Sequence, residues 1–362
     1  MKNLLVTGGA GFIGSNFIRY IQTSQPKVNI VNLDLLTYAG SLDNLVNLPF
    51  PARHLFVQGD ICDRDLVVQL LRNQKIDTIV HFAAESHVDR SISGPAQFVQ
   101  TNVVGTFTLL EAARQVWKTE GLLSMDQVRF HHVSTDEVFG SLQPDEPAFS
   151  ETTPYSPRSP YSASKASSDH LVRAYFHTYG LPVSITNCSN NYGPYQFPEK
   201  LIPLFVLNAQ DGLPLPVYGD GMQIRDWLYV EDHCRAIELV VDNGKPGHTY
   251  NVGGGNQPTN LELIGLICKL MDEEYPHSKY FPHSSLIKYV VDRPGHDRRY
   301  AMDIRKIKAD LGWQPLENLE SGLRRTVKWM AANPGWVEAM KQKPGYQEWL
   351  NKNYTNRGEK VQ

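Results

Sequence analysis

What the sequence has little of narrows the class of protein first. Only four of the 362 residues are cysteine, Cys62, Cys188, Cys234 and Cys268, and no two of them form a Cys-x-x-Cys pair. Scattered cysteines are typical of small buried side chains in a reducing compartment and not of a disulfide framework. We expect no metal site from them either.

Long apolar runs and a large net charge are also missing. No stretch approaches the roughly 20 apolar residues that span a bilayer, and the N-terminal MKNLLVTGGAGFIG does not have the form of a secretory signal. The formal charge is -3, so the chain has no broad cationic field for a nucleic acid. We therefore expect a cytoplasmic protein that binds neither membrane nor nucleic acid.

Short apolar runs alternate with helical patterns through the first half of the chain. Hydrophobic residues make up 41% of the sequence, enough for a large core, and the length favours two domains. Repeated strand and helix in this order predicts an α/β fold, a doubly wound parallel (Rossmann) sheet with right-handed crossovers. The runs that predict strands cover 3–8, 28–34, 54–58, 78–83, 128–134 and 183–187.

The pattern changes after about residue 190, where five prolines interrupt it between 194 and 216. This change predicts a first domain over 1–190, with a returning segment near 225–252, and a smaller mixed α/β lobe over 191–362. Such a lobe would cover the carboxyl ends of the strands and close a ligand cleft.

A glycine-rich segment follows the first predicted strand. Gly9-Ala10-Gly11-Phe12-Ile13-Gly14 fits the dinucleotide fingerprint, and Asp34 lies 20 residues after Gly14 at the end of the next predicted strand. Glycines let the backbone approach a pyrophosphate, and a carboxylate accepts the ribose hydroxyls. Because an acid at this position repels a 2'-phosphate, we expect NAD and not NADP.

Tyr161 and Lys165 are four residues apart, on one face of a helix that Ser159 and Pro160 are predicted to start. A nearby ammonium lowers the pKa of a phenol, so Tyr161 is a candidate base. Next to NAD, such a base removes an alcohol proton while hydride departs.

Two adjacent acids, Asp136 and Glu137, follow the predicted strand that ends near Ser134. Buried carboxyl groups need partners, and burial raises their pKa values. One protonated and one ionised carboxyl lets a site run acid and base chemistry together.

These motifs together resemble the extended short-chain dehydrogenase/reductase family, whose members modify nucleotide sugars. The resemblance rests on Thr7 to Gly14, on Ala83-Ala84 and on the Tyr161 and Lys165 pair, and it runs almost end to end. Thr135 matches the family's hydroxyl residue that helps hold the sugar O4. The Asp136-Glu137 pair resembles the 4,6-dehydratase branch, because the epimerases lack it.

The resemblance implies a hydro-lyase that converts dTDP-glucose to dTDP-4-keto-6-deoxyglucose with bound NAD recycled. It also implies a homodimer through helices near 97–113 and 161–179. Three alternatives stay open: the same reaction on UDP-glucose, a nucleotide-sugar 4-epimerase, and a non-catalytic NAD-sensing protein.

The candidate site residues form three groups. The catalytic group is Thr135, Asp136, Glu137, Tyr161 and Lys165. The cofactor group is Gly8, Gly11, Phe12, Ile13, Gly14, Asp34, Leu35, Thr37, Asp60, Ile61, Ala83, Ala84, Ser86, Thr101, Tyr161, Lys165 and Asn191. The substrate group is Ser86, His87, Thr135, Asn190, Glu199, Lys200, Leu201, Pro216, Val217, Tyr218, Arg225, Asn260, Asp292, Arg293, His296 and Tyr354.

Two of these interpretations have competing ones. Asp60 is also placed to cap a helix that begins near Arg64, and a lone histidine such as His87 is often structural. The stretch from Trp117 to Gln127 is expected to be a polar surface connection outside the site.

Overall fold

The computed structural model describes residues 1–292, 297–343 and 346. Within them no helix is long and apolar enough to cross a membrane. The strands are β1 Asn3–Thr7, β2 Asn29–Asp34, β3 His54–Gln58, β4 Thr78–His81, β5 Arg129–Thr135, β6 Val183–Cys188, β7 Asn190–Tyr192, β8 Leu215–Tyr218, β9 Trp227–Tyr229, β10 Thr249–Val252 and β11 Ile287–Val290.

Seven of these strands form one parallel sheet, in the order β10-β6-β5-β4-β1-β2-β3. Leu4, Leu5 and Val6 of β1 are fully buried, as expected of a strand covered on both faces. The strand order reverses at β1, because the chain passes to β2 on one side and to β4 on the other. Ligands of open α/β sheets bind at such a point, outside the carboxyl ends of the strands.

Helices cover both faces of the sheet and build most of the second lobe. They are α1 Phe12–Ser24, α2 Arg64–Asn73, α3 Val88–Ser93, α4 Pro95–Phe98, α5 Thr106–Ala113, α6 Pro160–Tyr179, α7 Leu201–Asp211, α8 Val230–Asn243, α9 Asn260–Glu274, α10 Arg305–Leu311, α11 Leu319–Ala332 and α12 Pro334–Lys341. One apolar core lies between the sheet and α2, α5 and α6, and another between the sheet, α1 and α8. The doubly wound fold predicted from the sequence is confirmed.

A third apolar core belongs to the later part of the chain. There α7, α9 and α11 pack around the two-stranded parallel sheet of β8 and β11. β10 instead pairs with β6 and completes the edge of the large sheet. The smaller mixed α/β lobe is therefore present beside the Rossmann sheet.

The burial of Trp117 and the cap of α2 both differ from interpretations made from the sequence. Trp117 is almost fully buried, lies in a π-helical segment, Arg114–Thr119, and donates its indole N–H to the carbonyl of Ile76 at 2.9 Å. Trp117 therefore anchors the first residue of the predicted surface connection, 117–127, in the core. Asp63, and not Asp60, caps α2 by accepting a hydrogen bond from the Leu66 amide.

Candidate active site

The glycine loop joins β1 to α1 at the point where the strand order reverses. Gly8 has φ +71°, and a Cβ atom there would lie 2.7 Å from the backbone N and Cα of Ala83, which follows β4. A Cβ on Gly14 would lie 2.4 Å from the carbonyl oxygen of Gly8. Only glycine fits either place, so the loop brings an uncovered backbone to the switch point, as a pyrophosphate site requires.

Asp34 ends β2 beside this loop. Its carboxylate accepts hydrogen bonds from the Ala10 amide at 2.8 Å and from the Leu36 amide at 2.7 Å. Burial raises the pKa of Asp34, while the two amide bonds and Lys343 act in the opposite direction. These bonds fix the carboxylate at the mouth of the glycine loop, where a ribose is expected.

A second support for the loop comes from the far end of the chain, and sequence reasoning did not find it. The carbonyl oxygen of Ala10 accepts hydrogen bonds from the Ser41 amide at 3.0 Å and from Asn44 Nδ2 at 2.8 Å. Asn44 in turn accepts a bond from Nε1 of Trp336, on α12, at 2.7 Å. The spacing of almost 300 residues between the two leaves no pattern in the sequence.

Tyr161 and Lys165 lie on the first two turns of α6. Ser159 and Ser162 form a capping box at its start, with Pro160 in the first turn, so the helix begins where the sequence predicted. Lys165 is only 4% exposed, and burial lowers its pKa to about 8, although Asp169 acts in the opposite direction. The lysine thus titrates close to neutrality.

The Tyr161 phenol does not show the lowered pKa that the Lys165 ammonium suggests. Burial and the Glu137 carboxylate raise its pKa well above the usual value, while a hydrogen bond with Thr135 acts in the opposite direction. The Lys165 ammonium therefore does not offset the effect of burial on this phenol.

The acidic pair forms a 3-10 turn, Asp136–Phe139, directly after β5. The Thr135 hydroxyl caps the turn by accepting from the Glu137 amide at 3.2 Å, and it donates to Asp136 Oδ1 at 3.2 Å. Burial, followed by the charge of Glu137, raises the pKa of Asp136 well above its usual value. A neutral Asp136 thus lies next to Glu137, which makes the pair suited to combined acid and base chemistry.

One open cleft brings these features together. All the catalytic and cofactor residues predicted from the sequence line it, together with Ser86, Asn190, Glu199 and Lys200 of the substrate group. Thr101 reaches it from a π-helical segment, Val99–Gly105, a local irregularity that is frequent at functional sites. The prediction missed other lining residues, of which the most polar are Tyr38, Glu85, Ser189 and Gln196. Their only signal was their position beside predicted ones, as with Ser189 next to Asn190.

Four polar atoms that face no partner mark this cleft as a ligand site. Oδ2 of Asp136, Oγ of Ser189, Oδ1 of Asn190 and Oε1 of Gln196 are buried and have no hydrogen-bond partner among the described residues. Buried polar atoms are almost always satisfied in folded proteins. Similar atoms occur elsewhere in the described residues, but these four line the cleft and are placed to bind polar groups of a ligand.

The remaining substrate candidates do not line this cleft. His87 caps α3, and its Nε2 lies 3.9 Å from Oε2 of Glu199, whose other oxygen accepts from Tyr38 at 3.1 Å. Leu201 begins α7, Pro216, Val217 and Tyr218 lie on β8, Asn260 begins α9, and Asp292 accepts from Gln223 at 3.0 Å. Arg293, His296 and Tyr354 lie outside the described residues.

Arg225 forms a second charged centre next to the acidic pair. Its guanidinium donates to the carbonyl oxygens of Ile224 at 2.8 Å and Asp297 at 2.9 Å and lies 4.5 Å from the ring centroid of Tyr300. Arg225 acts to lower the pKa of Asp136, against the larger effect of burial. The guanidinium itself does not line the cleft.

The fold and this site define a dehydrogenase/reductase of the short-chain type, with a glycine loop, a Tyr-Lys helix and an added acidic pair. A family model described as GDP-mannose 4,6 dehydratase matches residues 5–326. The chain belongs to this family.

Individual relatives agree with this assignment. The chain is 55% identical over 362 residues to a dTDP-glucose 4,6-dehydratase from Salmonella typhimurium, covering 98% of this chain and 99% of that protein. A crystal structure of dTDP-glucose 4,6-dehydratase from Streptomyces venezuelae with NAD bound is 48% identical, with a TM-score of 0.84, over 94% of this chain and 100% of that one. A UDP-glucose 4-epimerase from Thermotoga maritima with UDP-glucose is only 28% identical, with a TM-score of 0.79, over 92% of this chain and 99% of that one.

Proposed function

We propose that the chain dehydrates dTDP-glucose to dTDP-4-keto-6-deoxyglucose, with NAD as a tightly held and recycled cofactor. The observation that carries this proposal is the acidic pair, Asp136 and Glu137, in the same cleft as Tyr161, Lys165 and the glycine loop. A 4-epimerase needs the last three features and has no use for the acids. The 55% identity to a dTDP-glucose 4,6-dehydratase supports the same choice.

The residues of the cleft fit NAD. The close approach of Gly8 to Ala83 leaves room for a pyrophosphate, and the fixed Asp34 carboxylate suits two ribose hydroxyls and opposes a 2'-phosphate. When bound, NAD accepts a hydride from C4 of the sugar and later returns it to C6. Lys165 and Tyr161 lie at the inner end of the same cleft, where the reacting sugar belongs.

The side chains perform the proton transfers. Tyr161, hydrogen-bonded to Thr135, takes the O4 proton as C4 is oxidised to the ketone. The ketone acidifies the C5 proton, which Glu137 removes, and neutral Asp136 gives its proton to the departing C6 hydroxyl. C6 then receives the hydride, and C5 receives the proton that Glu137 took. The O4 proton on Tyr161 returns through solvent to restore neutral Asp136, so the net change is loss of one water without net oxidation. General acid and base groups of this kind each contribute about 10² to 10⁴-fold.

We place the nucleotide half of the substrate in the lobe over 191–362, and NAD in the domain over 1–190. Asn190, Glu199 and Lys200 reach the shared cleft, and Arg225 lies beyond the acidic pair. A planar guanidinium held by two carbonyl oxygens is preorganised for a diphosphate. β8, with Pro216, Val217 and Tyr218, and the nearby Asn260 and Asp292 then lie beside the nucleoside. Arg293, His296 and Tyr354 are assigned to the nucleoside from the family resemblance alone, because they lie outside the described residues.

The test is turnover of dTDP-glucose and of UDP-glucose without added NAD, followed by proton NMR of the product. We expect a 4-keto product with a methyl group at C6 and faster turnover of dTDP-glucose. The bases differ by one methyl, which discriminates by about 1 to 3 kcal/mol. A product with an inverted C4 and an intact C6 hydroxymethyl would make the chain an epimerase. No turnover of any nucleotide sugar would make it a non-catalytic NAD-binding protein.

We also propose a homodimer built on α6 and the segment from 97 to 113. Val99 and Phe107 are 53% and 45% exposed, which is unusual for large apolar side chains on a helical surface. On α6 the exposed positions include the small residues Ala163, Ser167 and Ala174, which allow close helix approach. Sedimentation at micromolar concentration is expected to give twice the monomer mass of 40.9 kDa, and the monomer mass would contradict the dimer.

A further inference from the structure

A fully buried acid lies behind the Tyr161–Lys165 pair, and no proposed proton transfer uses it. Asp169 is on α6, one turn beyond Lys165, and its side chain has no solvent exposure. Burying an ionised carboxylate is costly unless other groups pair with it and hydrogen-bond to it. The surroundings of Asp169 therefore bear on its role.

One oxygen of Asp169 is surrounded by donors. Oδ2 accepts from the hydroxyls of Ser134 at 2.9 Å and Tyr155 at 2.8 Å, and from Nδ2 of Asn187 at 3.3 Å. Burial acts to raise the pKa of Asp169, but His132, Lys165 and Tyr155 together hold it below its usual value. The acid is therefore a buried anion at neutral pH.

The other oxygen of Asp169 and Nζ of Lys165 both approach the same ring nitrogen, Nε2 of His132. Nε2 of His132 lies 3.3 Å from Oδ1 of Asp169, 3.3 Å from Nζ of Lys165 and 3.2 Å from Oγ of Ser168. Ser168 donates its hydroxyl proton to the carbonyl of Lys165, so it is left to accept from His132. A proton on Nε2 is thus donated to Ser168, whereas Oδ1 of Asp169 lies beside Nε2 without a hydrogen-bond partner among the described residues. Nζ of Lys165 donates to the Val133 carbonyl at 2.9 Å.

The other titratable groups around this cluster do not supply the missing negative charge. Burial lowers the pKa of His132 to about 4 and that of His81, on β4, well below its usual value, so both rings are neutral. Burial raises the pKa of the Cys188 thiol, on β6, to about 12. Arg173 is a cation that donates to the hydroxyl of Tyr155. Within this cluster the ionised acid is Asp169.

We propose that Asp169, which meets Lys165 at Nε2 of His132, is the counter-charge that keeps Lys165 an ammonium during turnover. It is a positioning residue that acts through Lys165, and it contacts neither the sugar nor the cofactor cleft. The inference rests on the proposed function, because it concerns how Tyr161 is ionised for oxidation at C4. Without Asp169 the buried lysine becomes neutral near pH 7, and Tyr161, one turn earlier on α6, loses the cation of the Tyr-Lys pair.

The test is the pH dependence of C4 oxidation in single turnover, measured as formation of reduced cofactor in holoenzyme. We expect Asp169→Asn to move the acid limb of the profile up by about one pH unit. The rate then falls about tenfold at pH 7 and recovers at alkaline pH, which structural damage would not do. Asp169→Glu, which keeps the charge, is expected to restore most of the wild-type profile. An acid limb that stays in place or moves to lower pH would overturn the proposal, because Lys165 would then have kept its charge unaided.

Asp232→Asn is a matched control for this change. Asp232 is another buried acid, on α8, which holds the amides of Leu316 at 2.9 Å and Glu317 at 3.0 Å. The variant is expected to lose stability and to keep the wild-type acid limb. A shift equal to that of Asp169→Asn would show that the limb reports general damage, and would also overturn the proposal.

A second measurement does not depend on activity. Removing one partner of a buried charge pair leaves the other uncompensated, whereas removing both does not. We therefore expect the double variant Lys165→Met with Asp169→Asn to unfold at higher urea than Asp169→Asn alone. A double variant no more stable than Asp169→Asn, while Lys165→Met folds normally, would mean that Asp169 acts without Lys165. If wild-type protein gave no reduced cofactor with dTDP-glucose, the proposed function would fail, and this coupling would still decide the role of Asp169.

Discussion

Replacing Asp136 with asparagine is expected to make the protein more stable and almost inactive. Asparagine keeps the size of the side chain and cannot give a proton to the C6 hydroxyl. We expect kcat to fall by about 10² to 10⁴-fold, the usual contribution of one general acid. Oxidation at C4 does not use this proton and is expected to continue.

The gain in stability follows from the burial of Asp136. Burial raises the pKa of this acid well above its usual value, so the folded protein keeps a proton that the unfolded chain releases near pH 3.9. Keeping Asp136 protonated in the folded protein lowers the free energy of unfolding by about 1.4 kcal/mol for each pH unit above this value, up to the pKa in the folded state. The wild type therefore loses stability relative to Asp136→Asn as the pH rises, by at most about 4 kcal/mol at pH 7.

Urea unfolding of both proteins at several pH values between 4 and 8, with equal NAD and protein concentrations, measures this difference. Asp145→Asn, which makes the same substitution at an exposed position, is the control and should follow the wild type at every pH. A stability difference that is flat with pH would show that Asp136 is ionised in the folded protein. If Asp136→Asn turned over at the wild-type rate, Asp136 would not be the general acid.

Three further substitutions separate the steps of the reaction and test the cofactor loop. Glu137→Gln is expected to stop after C4 oxidation, with accumulated reduced cofactor and no deuterium at C5 in heavy water; deuterium incorporation at the wild-type rate would assign the C5 base to another group. Tyr161→Phe is expected to form no reduced cofactor in a single turnover, and a normal burst would contradict its role as the O4 base. Gly8→Ala is expected to weaken NAD binding at least tenfold in a fluorescence titration, because its Cβ meets Ala83 at 2.7 Å in addition to the positive φ. Gly121→Ala has a similar φ of +65° and open space around the new Cβ, so it should bind NAD normally; equal losses in the two variants would trace the effect to backbone strain alone.

The sequence was informative where one local pattern decides the structure. Apolar runs that end in glycine or acid predicted the first six strands of the sheet, because a strand buried on both faces needs little else. The capping residues Ser159 and Pro160 located the start of α6 for the same local reason. Glycine spacing and Asp34 predicted residues that all line one cleft.

Predictions were weaker where distant parts of the chain meet. Trp117 lies at the end of a polar stretch, and its burial depends on the carbonyl of Ile76, which no pattern near residue 117 indicates. The phenol of Tyr161 has a raised pKa because of burial and Glu137, two influences that the Tyr-x-x-x-Lys spacing does not contain. The partners of Asp169 likewise come from separate segments, and only their packing makes the acid an anion.

The link from Trp336 through Asn44 to the carbonyl of Ala10 has a consequence for how the protein is made. The glycine loop leaves the ribosome among the first residues of the chain, whereas one of its supports is translated near the end. The last strand of the large sheet, β10, is also made only after residue 248. A nascent chain that has not reached Trp336 therefore holds the residues that line the cleft without this support of the glycine loop, and before β10 is made it also lacks the edge strand of the sheet.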